Sequence, residues 1–395
     1  MVRHYPLLFA PIYKEMLWGG SRLGTKYNRQ LPYDKTGESW DISCRPGEMS
    51  LIENGPNLGM TLEDYIARDR VGALGTRLAA TEHFPLLVKL IDANDVLSVQ
   101  VHPDDYYAAK GDGIAETATN GVNLSAKEWQ PTDTGKNEMW YILAPPTDGH
   151  LIIGLKPGIT PQALRKAYED NTIEDCLNRL PVKTGDIVNI PAGLIHALTP
   201  GVMVAEVQQN SDITYRLYDY NRVGLDGKPR QLHVDDAIAV ADFEGKIPRG
   251  TVPGLTIKKG DCTMVYSIAN PYFAIIKYEL GGVLEETSDP AAFCVFTCVE
   301  GEGEVLMPSS VAASALPTAE TAIGNANTDV NVELSTGRSV FIPAGLGRYT
   351  LRPKQGKTWV LLKSFVPDIE KDFVAPLLSY GYNSNDIALK TAVSI

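Results

Sequence analysis

Three short polar sets, each embedded in an otherwise apolar, strand-like run, could together hold one divalent metal. Gln100 and His102 lie in "VLSVQVHPDD", Lys136 and Glu138 in "GKNEMWYIL", and His196 closes the run that opens at Gly185 and turns at Pro191-Ala-Gly193. A strand, a Pro-x-Gly turn and a histidine three residues past the glycine describe a metal-presenting hairpin. Gln100, His102, Glu138 and His196 offer nitrogen and oxygen donors and leave at least one coordination position for water or substrate. Structural zinc sites are usually closed and cysteine-rich, so an open N/O set points to catalysis. Two histidines and a carboxylate also suit non-haem iron, which leaves the metal open on donor type alone. Taken singly, His102 could cap a strand end before Pro103, and Gln100 and Glu138 could belong to a buried hydrogen-bond network. The agreement of all four is what carries the metal reading.

The period of two of a β-strand positions these groups. Ser98, Gln100 and His102 point to one face of their run, and Leu97, Val99 and Val101 to the other. Polar side chains facing a barrel interior are costly unless they bind something. Lys136 and Glu138 share a face in the same way. In "ITYRLYDYNR" the alternation groups Thr214, Arg216, Tyr218 and Tyr220, and an arginine on an aromatic-lined strand face tends to meet an anion. Arg216 and Lys136 are therefore the cations expected beside the metal. Lys89, in "LLVKLIDA", is expected to snorkel from an apolar strand.

Short runs of valine, isoleucine, tyrosine and threonine, punctuated by 35 glycines and 26 prolines, predict a mainly β chain of many strands joined by turns. Two strands are expected around the turn Asp92–Asp95. Thr160 as N-cap and Pro161 in the first turn predict one or two helices to about Arg179. Residues 108–135 read as a long polar loop near the mouth of the site. A composition shift over 241–253 marks a linker, and beyond it Gly337-Arg-Ser-Val-Phe-Ile-Pro343-Ala-Gly345-Leu-Gly-Arg348 repeats the segment Gly185–His196 without a gap. Arg348 stands in place of His196, so one metal per chain is expected, in the first barrel.

A chain of 395 residues with 44% hydrophobic content can build two or three domains. Its net charge of −12, with no basic block, excludes nucleic acid and anionic membrane as partners but not a small anion held by local Arg and Lys. Five cysteines without a close Cys-x-x-Cys pair read as free thiols in a reducing cytosol. The N-terminal apolar run is too short and broken for a secretory segment, and no 18-residue apolar stretch follows. A cytoplasmic location is expected.

"LSVQVHPDD", "GKNEMWYIL", "IPAGLIHAL" and "QQNSDITYRLYDYNR", with "EMLWGG" and "GESWDIS" near the N-terminus, resemble in order the motifs of the type I mannose-6-phosphate isomerases, zinc-dependent members of the cupin superfamily. The resemblance is close over the first 240 residues and looser beyond. It implies two cupin-type β-barrels (jelly rolls), with a short helical segment between the metal motifs of the first. Residues 1–240 would form a catalytic cupin domain and 254–395 a degenerate one without metal. By the same resemblance Gln100, His102, Glu138 and His196 bind Zn²⁺, Arg216 takes part in catalysis, and Ser98 and Lys136 line the sugar phosphate pocket. The implied reaction interconverts mannose 6-phosphate and fructose 6-phosphate through a cis-enediol. A zinc-bound water, Lys136 with a depressed pKa, or a carboxylate such as Asp104 could each be the base. Competing readings are a cupin iron dioxygenase and a sugar-binding cupin without turnover.

Overall fold

The β-branched and aromatic runs form antiparallel strands grouped in two compact units. The structure, a computed structural model, describes residues 4–110, 134–224, 227–308 and 331–394. One unit comprises Tyr13–Trp40 and Leu86–Val252; the other comprises Met1–Ile12, Asp41–Pro85 and Pro253–Ile395. Among the described residues, no helix is long and apolar enough to cross a membrane.

The unit that carries the metal motifs is built on two sheets. The larger runs in the order Ile187–Ile190, Glu138–Ala144, Met203–Gln209, Leu86–Asp92, Thr36–Ile42, Ile12–Gly20. The smaller runs Leu177–Pro181, His150–Leu155, His196–Ala197, Val99–Val101, Tyr215–Tyr218. Trp140, Ile142, Val188 and Val204 from the first sheet pack with Leu151 and Ile153 from the second to make an apolar interior. On the outer face of the smaller sheet, Val99, Val101, Ile152 and Leu217 pack with Leu164, Ala167 and Ala237. Those last three come from the helices Pro161–Glu169 and Val234–Val240. Full burial of side chains of this size contributes about 1.5–3 kcal/mol each. The alternation read for Gln100 follows from this packing, because the valines on either side are claimed by the helices.

Two expectations are corrected and one is refined. Two strands do flank the turn at Asp92–Asp95, but not as a hairpin, since Leu86–Asp92 belongs to the larger sheet and Val99–Val101 to the smaller. The same holds for the run to His196. Ile187–Ile190 pairs with Glu138–Ala144, while His196 pairs with Ile153 and Gln100, so Pro191–Gly193 is a corner between sheets. Gly193 makes that corner at φ 86°, with its N–H donated to the His102 carbonyl at 2.9 Å. The helical reading from Thr160 holds through Glu169, where the Thr160 hydroxyl accepts from the Ala163 N–H. Asn171 then adopts φ 56°, a 3-10 turn covers Ile173–Cys176, and Leu177–Pro181, with Arg179, is a strand paired to His150–Leu155. Of the predicted 108–135 loop, residues 111–133 lie outside the described residues; the chain up to Lys110 is a short helix, Asp105–Lys110.

The other unit repeats the two-sheet arrangement. Cys294–Glu300 and Ser339–Ile342 pair in its larger sheet, and Arg348–Pro353 lies in a four-stranded sheet with Leu284–Thr287, Glu302–Leu306 and Val332–Ser335. The repeated segment Gly337–Arg348 thus turns from one sheet to the other as Gly185–His196 does, although Gly345 lacks the positive φ of Gly193 and Gly347 takes it, at 86°. Leu7–Ala10, at the start of the chain, pairs with Ser339–Ile342 of this unit, and Leu51–Ile52 follows it at the sheet edge.

Candidate metal centre

Three strands aim the predicted ligands at one point. His196 lies opposite Gln100 in the smaller sheet, and Glu138 begins the strand beside Ile187–Ile190 in the larger one. His102 follows directly on the Gln100 strand. His102, Glu138 and His196 are all buried, and one ligating atom from each lies within 4.8 Å of the others.

The backbone fixes both imidazoles. His102 Nδ1 is 2.8 Å from the Ile213 carbonyl and His196 Nδ1 is 2.8 Å from the Leu194 carbonyl, so each Nδ1–H donates there and leaves Nε2 bare. The two Nε2 atoms lie 3.4 Å from different oxygens of Glu138. That gap is long for a charge-assisted hydrogen bond, and His102 Nε2 and both Glu138 oxygens are buried without a hydrogen-bond partner. It does match the edge of a tetrahedron with metal–ligand bonds of ~2.1 Å, which is about 3.4 Å. The Gln100 amide nitrogen stands 3.3 Å from His196 Nε2. A half-turn of that amide presents its oxygen at the same place, as a fourth donor. The residues therefore fit a divalent metal with N/O ligands.

Electrostatics agree with that fit. Burial, above all, pushes the His102 imidazole down to about 3, with Lys136 adding to the effect, and burial likewise lowers His196. Both are neutral, as ligands must be. Burial alone would raise Glu138, but the Lys136 ammonium holds it well below the usual carboxylate range. Lys136 Nζ lies 3.1 Å from Glu138 Oε2.

The remaining predicted residues are placed as follows. Ser98 and Lys136 are buried, and Arg216 is half-buried with its Cα paired to that of Gln100 across the sheet. Register-paired residues project to the same face, which puts Arg216 on the Gln100 side. Its Nη1 donates to the Gln231 carbonyl at 2.8 Å. Tyr220 does not continue this face: the register slips between Arg216 and Tyr218, the strand ends at Tyr218, and Tyr220 has φ 55°. Asp104 is exposed and caps the helix that follows, accepting from the Tyr107 N–H at 2.9 Å.

Lys89 does not snorkel. It is buried, with Nζ 3.5 Å from both Glu38 and Glu206, and lies over the Trp40 ring at 5.0 Å. Those carboxylates outweigh the cost of burial and hold the ammonium charged. Glu206 also accepts from Trp140 Nε1 at 2.8 Å, and the Trp140 ring meets His196 edge-on at 5.3 Å. Burial and then the Glu138 charge push the Glu206 carboxyl up. Sequence reading missed Glu38 and Glu206. The signal for Glu206 was present, since "VMVAEVQQ" puts Glu206 and Gln208 on one face of an apolar strand, as "VQVH" does for Gln100 and His102.

Comparison with known proteins bears on this centre. A model of the phosphomannose isomerase type I catalytic domain matches residues 7–147. The mannose-6-phosphate isomerase ManA of Bacillus subtilis is 35% identical over 301 residues, 76% of this chain and 87% of that protein. The mannose-6-phosphate isomerase of Streptococcus mutans is 31% identical over 300 residues, 76% of this chain and 86% of that one. A crystal structure of the mannose 6-phosphate isomerase from Bacillus subtilis covers 91% of this chain and 99% of its own, with a TM-score of 0.73 at 29% identity. A mannose 6-phosphate isomerase solved bound with zinc and yttrium shares the fold at 18% identity, with a TM-score of 0.63, covering 92% of this chain and 100% of that one.

Proposed function

Since this chain belongs to the type I mannose-6-phosphate isomerase family, we propose that it interconverts mannose 6-phosphate and fructose 6-phosphate at a single zinc ion held by Gln100, His102, Glu138 and His196. The observation that carries the metal part is the convergence of two imidazoles, each with Nδ1–H donated to backbone, whose Nε2 atoms lie 3.4 Å from different oxygens of the buried Glu138 carboxylate. Zinc rather than iron is the choice of the family resemblance, and a solved protein of this fold was bound with zinc.

Aldose–ketose interconversion moves a proton between C2 and C1 and builds negative charge on the C1 and C2 oxygens of a cis-enediol. Zinc, when bound, supplies Lewis-acid stabilisation of that charge. Arg216 supplies a second positive charge from the Gln100 side of the smaller sheet, a role supported by their paired register. Ser98 and Lys136 contact the substrate's polar groups, and their burial beside the metal motifs supports this. Among the candidate bases, Asp104 is least suited, because it is exposed and occupied as a helix cap. A cytoplasmic location belongs to the same proposal, on five cysteines that are all free.

The test is conversion of mannose 6-phosphate to fructose 6-phosphate by the purified chain before chelation, after it, and after zinc or iron is restored. Recovery with zinc is the expected result. Recovery with iron alone, or oxygen consumption, would move the chain to a different metal chemistry.

A further inference from the structure

The metal motifs come from segments far apart in sequence, and their hydrogen bonds converge on one side chain. Gln209, buried at the end of the Met203–Gln209 strand, accepts at Oε1 from the Asn137 N–H at 2.8 Å and from Asn137 Nδ2 at 2.7 Å. Its Nε2 donates to Asp105 Oδ1 at 3.1 Å, and the same oxygen accepts the Gly135 N–H at 2.8 Å. Asn137 Oδ1 in turn accepts the Ala192 N–H, in the corner that presents His196, at 3.1 Å. One continuous chain thus links the segment after His102, the residue before Glu138 and the turn before His196. The backbone approach it secures is close: a Cβ on Gly135 would fall 2.4 Å from the Asp105 nitrogen.

We propose that Gln209 and Asn137 are positioning residues that set the spacing of His102, Glu138 and His196 and so tune the affinity and geometry of the metal site. The inference rests on the reading of those three residues as metal ligands. None of the latch residues is itself a ligand. Both amide side chains donate and accept within this chain, and the Gln209 oxygen accepts twice, so an apolar replacement strands several partners at once. Outer groups that orient ligands typically change metal affinity by about 10–100-fold when removed.

The experiment titrates zinc and cobalt(II) into the metal-depleted chain and into Gln209→Met, Asn137→Ala and the double variant, against a competing chelator. It also records the visible cobalt spectrum. Gln209→Met is expected to weaken binding at least ~10-fold and to shift the cobalt bands, with the double variant costing little more than the worse single one. With metal saturating, kcat should fall while KM for mannose 6-phosphate stays within about twofold, as for a residue acting through the centre rather than on the substrate. If Gln209→Met fails to fold, Gln209→Glu, which keeps the acceptor for Asn137 and loses the donor to Asp105, must show the same direction of change. No metal binding by the unaltered chain would overturn the ligand reading itself. Tight binding there, with unchanged affinity and spectrum in the variants, would overturn the latch alone.

Discussion

Cys294 holds, in the C-terminal barrel, the register position that Glu138 holds in the N-terminal one: each is paired with the isoleucine, Ile342 or Ile190, that precedes a Pro-Ala-Gly corner. Two of the proposed ligand positions are therefore occupied by other residue types in the repeat, since Arg348 also stands where His196 does. Burial pushes the Cys294 thiol up to about 11, which keeps it protonated and a poor ligand. Arg348→His alone should not create a second site. Metal analysis of that variant should still give one zinc per chain, and a second equivalent bound with comparable affinity would contradict this account.

Replacing Arg216 should separate metal binding from turnover. Arg216→Ala removes a positive charge from the Gln100 face without touching a ligand, so kcat should fall by roughly 10²–10³ at unchanged zinc content. Normal turnover with zinc bound would remove Arg216 from the mechanism.

Lys89 is the counter-charge for two carboxylates, the buried Glu206 and the partly buried Glu38. Lys89→Met leaves them unpaired and should cost about 3–5 kcal/mol in urea unfolding. Adding Glu206→Gln removes one orphan charge and should return part of that loss. Additive destabilisation in the double variant would mean that the pair is not energetically linked.

Asp219 gives a pH dependence of known sign. Burial would raise its carboxyl, but hydrogen bonds from Arg230 and then Arg222 prevail and hold it below the usual carboxylate range. A depressed folded pKa contributes stability that is fully present above the unfolded value, about 3.9, and is lost as pH falls through the folded one. Asp219→Asn should therefore be less stable than the unaltered chain by about 1–3 kcal/mol at pH 7. The gap should close as pH drops below about 4, as judged by denaturant midpoints. A gap that widened in acid would reverse the assignment.

The site was legible where chemistry is local. The period of two put Gln100 and His102 on one face, the Pro-x-Gly frame flagged His196, and the ungapped repeat set Arg348 opposite His196 in the alignment. What sequence concealed was pairing. Nothing in Asp92–Asp95 or Pro191–Gly193 distinguishes a hairpin turn from a corner, because the difference lies in which distant strand claims the next residues. Lys89 looked like a snorkelling lysine because its partners, Glu38 and Glu206, are remote in sequence. The Tyr218–Tyr220 phase failed for a nearer reason, since left-handed backbone at Tyr220 and Asn221 ends the alternation that the residue types suggest.

The pairing of Leu7 with Phe341 also has a consequence for how the molecule is made. During synthesis the Leu7–Ala10 strand is made more than three hundred residues before the strand it joins. At about 5–20 residues per second, that is a wait of roughly 20–60 s. Over that interval a short apolar strand has no native neighbour on that side and stays open to pairing with the wrong partner.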